Sequence, residues 1–288
     1  MQLKQALSSA VAYLAAKDVP SPRMNAELLL MFVLGCDRAY FFAHPERKLT
    51  DDEQSRYQSA LSERSRGFPA QYITGHQEFW GMDLIVTPAV LIPRPETEHL
   101  IEAVLELITS DLRDAHGTES KVRLADVGTG SGCIALALAK ELPDAEIHAT
   151  DISPSALEIA RANAARHELE GRIRFHQTDL LEGLTPQFDF IVSNPPYVGE
   201  SEEDQVQLEV RKFEPRSAVF AGPSETDVIE RLIPQAQVRL RPGGYLVMEI
   251  SGTIVGSVRQ LLHDWNEVHV LKDLQSIPRV VRARKPIG

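Results

Sequence analysis

The sequence predicts an α/β protein. A seven-stranded parallel sheet, covered by helices on both faces, follows a small helical domain and is joined to it by a β-hairpin. Three observations carry this. From residue 121 onward, short apolar runs rich in β-formers alternate with segments of helical periodicity, the pattern of strands linked by crossover helices. Residues 1–75 show helical periodicity and helix caps. Between the two, residues 77–92 turn to β-rich composition broken at Gly81 and Pro88, which suits a hairpin.

The helical part opens with Leu3, Leu7, Val11 and Leu14 on one face of a first helix. Ser21 and Pro22 read as N-cap and N1 of a second, with Leu28, Leu29, Phe32 and Val33 turned inward and Gly35 just past its end. Thr50-Asp51-Asp52-Glu53 is a capping box opening a third helix, which closes near Gly67. No catalytic cluster appears here. The residues leave two roles open, stability or a grip on a macromolecular substrate. After the hairpin, Pro95 falls near N1 of a helix with acids in its first turn. Leu100, Ile101, Val104, Leu105 and Ile108 share one of its faces. The seven strands are then 122–127, 146–150, 172–177, 188–193, 245–250, about 267–271 and about 280–284. Helices follow the glycines at 128–132, start at Ser153-Pro154, span 226–240 up to Pro242-Gly243-Gly244, and recur near 255–263. Residues 198–224 read as a long loop.

Composition sets limits. With 288 residues, 43% hydrophobic and 25% charged, the chain is ordinary for a globular protein of one or two domains. No apolar run approaches the roughly 18 residues of a membrane span. The first residues lack the blocks of a signal peptide. Cys36 and Cys133 form no spaced motif, and the nine histidines show no HxxxH grouping. A cytoplasmic protein without metal is expected. The net charge of −11 is carried by residues 76–288, while residues 1–75 are nearly neutral. Tight binding to a phosphate backbone needs clustered Lys and Arg, so no direct nucleic-acid partner is expected.

Two stretches carry chemistry. The first is Gly128-Thr129-Gly130-Ser131-Gly132, a glycine loop between a strand and a helix, where backbone and ligand approach closely at a helix N-terminus. Asp151, at the tip of the next strand, is placed to accept both ribose hydroxyls of a nucleoside. That much suits NAD as well. The GxGxG spacing, the negative charge of Asp126 before the loop, and Asp179 at the third strand's end tilt toward a cationic nucleoside. Asp126 also suits bracing of the loop by accepting backbone N–H groups, and Cys133 reads as packing rather than as a nucleophile. The second stretch is Ser193-Asn194-Pro195-Pro196-Tyr197, after the fourth strand. Two prolines stiffen a corner at a carboxyl edge of the sheet, where open α/β sheets bind ligands. The corner offers a carboxamide, carbonyls without N–H, and a ring. Those groups suit a planar substrate whose N–H hydrogens need acceptors. Arg94 or Thr97 borders the same region on one reading of Pro93-Arg94-Pro95-Glu96-Thr97-Glu98. The other reading is helix initiation alone.

This constellation resembles the seven-stranded, S-adenosylmethionine-dependent methyltransferases. With Asn-Pro-Pro-Tyr it resembles their subset that methylates planar nitrogens. Phe79-Trp80, Leu91-Ile92-Pro93-Arg94-Pro95-Glu96-Thr97-Glu98, the 126–132 and 193–197 stretches, Phe213-Glu214-Pro215 and the helical N-terminal domain extend the match. Together they resemble the release-factor glutamine N5-methyltransferase family over nearly the whole chain. The 91–98 run is the most specific part, and it favours the functional reading of Arg94. The resemblance implies a helical substrate-recognition domain at 1–75, a β-hairpin linker at 76–94 and a Rossmann-like methyltransferase domain at 95–288. It implies S-adenosylmethionine as cofactor and, as substrate, the glutamine of the Gly-Gly-Gln loop of class-1 peptide chain release factors. A monomer is the default state.

On this resemblance the Asn194 side-chain oxygen and the Pro195 carbonyl accept the two amide hydrogens, and Tyr197 stacks on the amide plane. Pro196 and Arg94 complete the substrate site. Asp126, Gly128, Thr129, Gly130, Ser131 and Gly132 hold the methionine end, Asp151 the ribose, and Asp179 with Leu180 the adenine, with Asn194 between cofactor and substrate. One departure is Leu180, where some relatives have an aromatic residue. A base N-methyltransferase acting on DNA or RNA uses a similar corner but calls for a basic groove or a target-recognition insert. An NAD oxidoreductase calls for a Tyr-Lys or His-Asp pair that is absent. Intact glycines, acids and Asn194 argue against a non-catalytic nucleotide-binding protein.

Overall fold

The computed structural model describes residues 1–112 and 121–287. The chain forms two compact units, Met1–His76 with Leu208–Phe213, and Gln77–Gln207 with Glu214–Gly288.

The first unit is helical: Leu3–Ala15, Pro22–Leu34, Arg38–Ala43, Asp51–Ser65 and Ala70–Thr74, together with Leu208–Phe213. Its core gathers Leu3, Leu14, Leu29, Leu30, Val33 and Tyr57. The Tyr57 hydroxyl donates to the Ala26 carbonyl at 2.9 Å. A buried polar pair sits among these side chains. Arg64 Nε donates to Asn25 Oδ1 at 2.7 Å, and the Arg64 guanidinium also meets Glu209 at 3.0 Å. Thr50 and Glu53 form the expected capping box. Ser21 stands at the N-cap but in the left-handed region with φ 48°, and its side chain makes no cap bond. Its carbonyl instead accepts from Asn25. Leu28 and Phe32 are not inside: they are 36% and 42% exposed. The face that packs is Ala26, Leu29, Leu30 and Val33, and Leu28 with Phe32, one turn apart, lies off it.

A hairpin, β1 (His76–Phe79) and β2 (Met82–Ile85), starts at the last residue of the first unit and otherwise belongs to the second. Trp80 and Gly81 make the two-residue turn with φ 53° and 66°. Positive φ is unusual for tryptophan, and contacts hold it. The Trp80 backbone N–H donates to Glu98 and the ring N–H to Glu141, both at 2.8 Å. Regular pairing stops at Ile85 rather than continuing to residue 92.

The main sheet has seven strands: β3 (Arg123–Val127), β4 (Glu146–Asp151), β5 (Ile173–Gln177), β6 (Phe188–Ser193), β9 (Leu240–Glu249), β10 (Asn266–Lys272) and β11 (Pro278–Arg284). Their order is β10-β11-β9-β6-β3-β4-β5. The sheet is parallel from β5 to β9, but β11 runs antiparallel to both its neighbours. The connection from β10 to β11 is too short for a crossover, so the pair closes as a hairpin. Strand residues alternate between two cores. Leu124, Phe190, Val192 and Val247 face helices Glu98–Leu107, Cys133–Glu141 and Pro154–Arg166. Ala125, Val127, Ile191 and Leu246 face Asp227–Arg239 and Val255–Leu261.

Two segments of the second half also differ from the sequence expectation. Residues 198–224 are not one loop. A two-stranded parallel sheet of β7 (Val198–Gly199) and β8 (Phe220–Gly222) brackets short helices at Leu208–Phe213 and Arg216–Val219. Elements this short leave no periodicity in the sequence. The fifth strand also starts at Leu240, so Pro242-Gly243-Gly244 lies inside it, at a register shift against β6. Gly244 is required there. A Cβ would sit 2.9 Å from the Asp189 carbonyl oxygen and 3.1 Å from that of Arg241. Gly244→Ala is expected to destabilise by about 2–4 kcal/mol in urea unfolding. Gly256→Ala, in a helix where the new methyl would meet nothing within 4 Å beyond its own chain neighbours and the helix backbone, is expected to be neutral or stabilising by up to ~1 kcal/mol.

Candidate active site

In this sheet the chain runs outward from β3 to β4 and β5, then returns to β6 on the other side of β3. The carboxyl ends of β3 and β6 therefore flank a topological switch point, where open sheets leave a crevice. A cavity of about 320 Å³ occupies this edge.

The glycine loop forms one wall. Gly128 and Thr129 N–H groups donate to the Thr150 carbonyl at 2.9 and 2.8 Å, and Gly130 N–H donates to Asp151 Oδ2 at 2.8 Å. The other Asp151 oxygen accepts from Ser153 N–H at 2.9 Å. Asp151 thus faces the cavity with both oxygens fixed and lone pairs to spare. Burial raises its carboxyl above the usual carboxylate range, against backbone hydrogen bonds that pull it down. Gly132 is a packing residue. Its φ is 86°, and a Cβ would press on Ala160 at 3.2 Å.

Asp126 lies behind the loop, fully buried. Its Oδ2 accepts from the Thr129 hydroxyl at 2.6 Å and from Ala135 N–H at 3.1 Å. Its Oδ1 is buried without a hydrogen-bond partner. Burial pushes the carboxyl up to about 7.

Farther along, Asp179 and Leu180 line the cavity, and Arg231 pairs with the Asp179 carboxylate. Leu180 adopts φ 51°. Arg94 also lines the cavity. Its guanidinium meets Glu214 Oε1 at 2.5 Å, while Glu214 Oε2 accepts from Ile92 N–H at 3.1 Å. Glu214 is buried, so this pair ties the 91–94 segment to the residue before Pro215. Glu214→Ala is expected to cost about 3 kcal/mol in urea unfolding, because the guanidinium and the Ile92 N–H lose their acceptor.

Asn194 and Pro196 complete the cavity. Ser193 Oγ donates to the Val127 carbonyl at 2.8 Å and locks the two strand ends together. Asn194 Nδ2 donates to Thr97 Oγ1 at 3.1 Å, and Thr97 Oγ1 donates to Glu249 Oε2 at 2.6 Å. The Tyr197 hydroxyl donates to Glu249 Oε1 at 3.2 Å. Glu249, last residue of β9, is 3% exposed, and burial raises its carboxyl.

The structure thus brings Arg94, Gly128, Thr129, Gly130, Ser131, Asp151, Asp179, Leu180, Asn194 and Pro196 to one wall system. It does not bring Asp126, Gly132, Pro195 or Tyr197 there. Asp126 and Pro195 are buried, Gly132 packs on Ala160, and Tyr197 packs against the apolar cluster beneath with its hydroxyl on Glu249. Glu249 and Arg231 escaped the sequence reading. The available signal for Glu249 was an acid closing an otherwise apolar strand run at the sheet's carboxyl edge. Among the described residues, no group of three or more His, Cys, Asp or Glu side chains could hold a metal ion. No helix among them is long and apolar enough to cross a membrane.

Fold and site define a Rossmann-like methyltransferase. Residues 104–212 match the methyltransferase small domain family. A methyltransferase from Pyrococcus furiosus shares the fold with a TM-score of 0.51 at 18% identity, over 81% of this chain and 100% of that one. The N-terminal domain of human METTL16 in complex with SAH does so with a TM-score of 0.51 at 18% identity, over 97% and 94%. Residues 5–75 match the PrmC N-terminal domain. The release factor glutamine methyltransferase of Koribacter versatilis (strain Ellin345) is 57% identical over 288 residues, 99% of either chain. That of Moorella thermoacetica (strain ATCC 39073 / JCM 9320) is 43% identical over 91% of this chain and 89% of its own. The chain belongs to the release factor glutamine methyltransferase family.

Proposed function

We propose that the protein transfers a methyl group from S-adenosylmethionine to the side-chain amide nitrogen of the glutamine in the Gly-Gly-Gln loop of class-1 release factors, in the cytoplasm. The observation that carries this is one cavity shared by the glycine loop, Asp151 and two residues of the proline-stiffened corner, Asn194 and Pro196.

The residues present fit the cofactor. A Cβ on Gly128 or Gly130 would meet no atom within 4 Å, so the loop leaves open space beside its backbone. Asp126 carries a buried, unpartnered oxygen behind the loop, and Asp151 presents a fixed carboxylate at the neighbouring strand tip. On this proposal Asp126 and the Gly128 loop would hold the methionine end, Asp151 the ribose, and Asp179 with Leu180 the adenine. Bound there, S-adenosylmethionine supplies an electrophilic methyl group.

The chain's own task is orientation. A primary amide nitrogen is a weak nucleophile because its lone pair is delocalised into the carbonyl. Asn194 Oδ1 and the Pro195 carbonyl oxygen accept its two hydrogens, which turns nitrogen rather than oxygen toward the methyl and supports the positive charge it gains. No strong general base is needed, since the product loses its proton afterwards. Residues 1–75 are proposed to grip the release factor. Exposed Met24, Leu28, Phe32, Tyr40 and Phe42 support that role.

The test incubates the protein with methyl-labelled S-adenosylmethionine and, in parallel, a release factor, its Gly-Gly-Gln→Gly-Gly-Ala variant, and DNA. Label on the unaltered release factor alone is expected. Label on DNA with none on the release factor overturns the assignment.

A further inference from the structure

We propose that Glu249 and Thr97 are positioning residues that decide which end of the Asn194 carboxamide faces the cavity. The inference rests on the function proposed above and concerns the same site. It follows from the direction in which each hydrogen bond runs.

Glu249 starts the chain of bonds. Both of its carboxyl oxygens accept, one from Thr97 and one from Tyr197. The Thr97 hydroxyl, 2.6 Å from Glu249 Oε2, therefore commits its single proton to Glu249. Thr97 Oγ1 is left with lone pairs, so it meets Asn194 only as an acceptor. Its partner 3.1 Å away must be the NH₂ end of the carboxamide, Nδ2. The oxygen end then points the other way, on a residue that lines the cavity. The two ends of a carboxamide have nearly the same shape, and this sequence of donors and acceptors is what tells them apart.

The same carboxylate steadies the corner from its other side. Glu249 Oε1 accepts from the Tyr197 hydroxyl at 3.2 Å, three residues beyond Asn194. One buried acid at the tip of β9 thus holds the first and last residues of Asn194-Pro195-Pro196-Tyr197 through two hydroxyls. Thr97 lies in the short 3-10 turn Pro95–Thr97, so the orientation also depends on the segment that carries Arg94. In this arrangement Tyr197 braces the corner from below the cavity wall.

A purely structural role for Thr97 and Glu249 makes a different prediction, and three variants separate the two. Thr97→Val removes the hydroxyl at nearly constant shape. It is expected to lower kcat about 100-fold while cofactor affinity and the KM for release factor stay within about threefold. Thr97→Ser restores the hydroxyl and is expected to return kcat to within about threefold of the parent. Glu249→Gln lets either end of a carboxamide face Thr97. It is expected to lower kcat at least about tenfold with little change in cofactor affinity.

The second readout is independent of turnover. The Asn194 side-chain NH₂ resonance, assigned by its loss in Asn194→Ala, is expected to exchange slowly with solvent in the parent and in Thr97→Ser, and rapidly in Thr97→Val. Equal kcat in Thr97→Val and the parent, or an NH₂ group that exchanges freely in the parent, overturns the proposal. A parent that labels no release factor overturns the substrate reading instead, and the exchange measurement still decides the orientation of Asn194. Thermal unfolding of each variant separates loss of fold from loss of orientation.

Discussion

Asn194→Ala is expected to lower methyl transfer about 10³-fold while leaving cofactor affinity within about tenfold. The side chain lines the cavity, and its Nδ2 already has a partner in Thr97. Besides that bond, the substitution removes the carboxamide oxygen proposed to hold the substrate amide. Without it the amide keeps one acceptor and can rotate, and its oxygen, the better nucleophile, competes for the methyl. The loss should appear in kcat rather than in cofactor binding, because the glycine loop and Asp151 are untouched. Calorimetric titration of the cofactor beside single-turnover methylation separates the two. A parallel fall in both would place Asn194 in cofactor binding instead.

Asp126→Asn is expected to stabilise the cofactor-free protein at pH 8 and not at pH 5, and to weaken cofactor binding at least about tenfold. The Asp126 carboxyl is fully buried, and burial pushes it up to about 7 from the usual 3.8, with Asp151 adding to the rise and Thr129 and Ala135 opposing it. An acid whose folded value is raised contributes stability that is present below its unfolded value and is lost as pH climbs through the folded one. Above neutrality the folded chain therefore holds an ionised carboxylate with one oxygen unpaired. Asparagine keeps an oxygen for Thr129 and Ala135 and removes the charge. The gain should grow between pH 5 and pH 8 toward a few kcal/mol. The same change deletes the negative charge proposed to face a cationic cofactor. Thermal unfolding at the two pH values checks the first part, and titration checks the second. An equal offset at both pH values would show that Asp126 is not ionised by burial-limited titration.

The sheet was legible because its strands are apolar on both faces. Runs such as Phe190-Ile191-Val192 read as buried strands whatever their neighbours. The glycine loop was legible because backbone conformation demands it: Gly128, Gly130 and Gly132 all have φ between 55° and 86°. Strand-tip acids were legible because their spacing from that loop is short-range. What depended on distant partners was not. Glu249 meets Thr97 across 152 positions of sequence and Tyr197 across 52. The Arg231 pairing with Asp179 likewise joins positions 52 apart. The antiparallel β11 and the paired β7 and β8 were hidden by short connections and short elements, which leave no periodic pattern. Tyr197 was expected to stack on the substrate amide plane; that its hydroxyl donates to a buried carboxylate, Glu249, depends on a partner 52 positions away and left no local signal.

On the proposed function, a proline-stiffened corner turns the nitrogen of a carboxamide toward a methyl donor. This is tested most directly by a crystal structure of the protein with S-adenosylhomocysteine and a peptide carrying the Gly-Gly-Gln loop. The predicted result has Asn194 Oδ1 and the Pro195 carbonyl oxygen each about 3 Å from the glutamine amide nitrogen, which faces the sulfur. A glutamine whose oxygen faces the sulfur, or a corner whose two oxygens point away from it, would contradict the account.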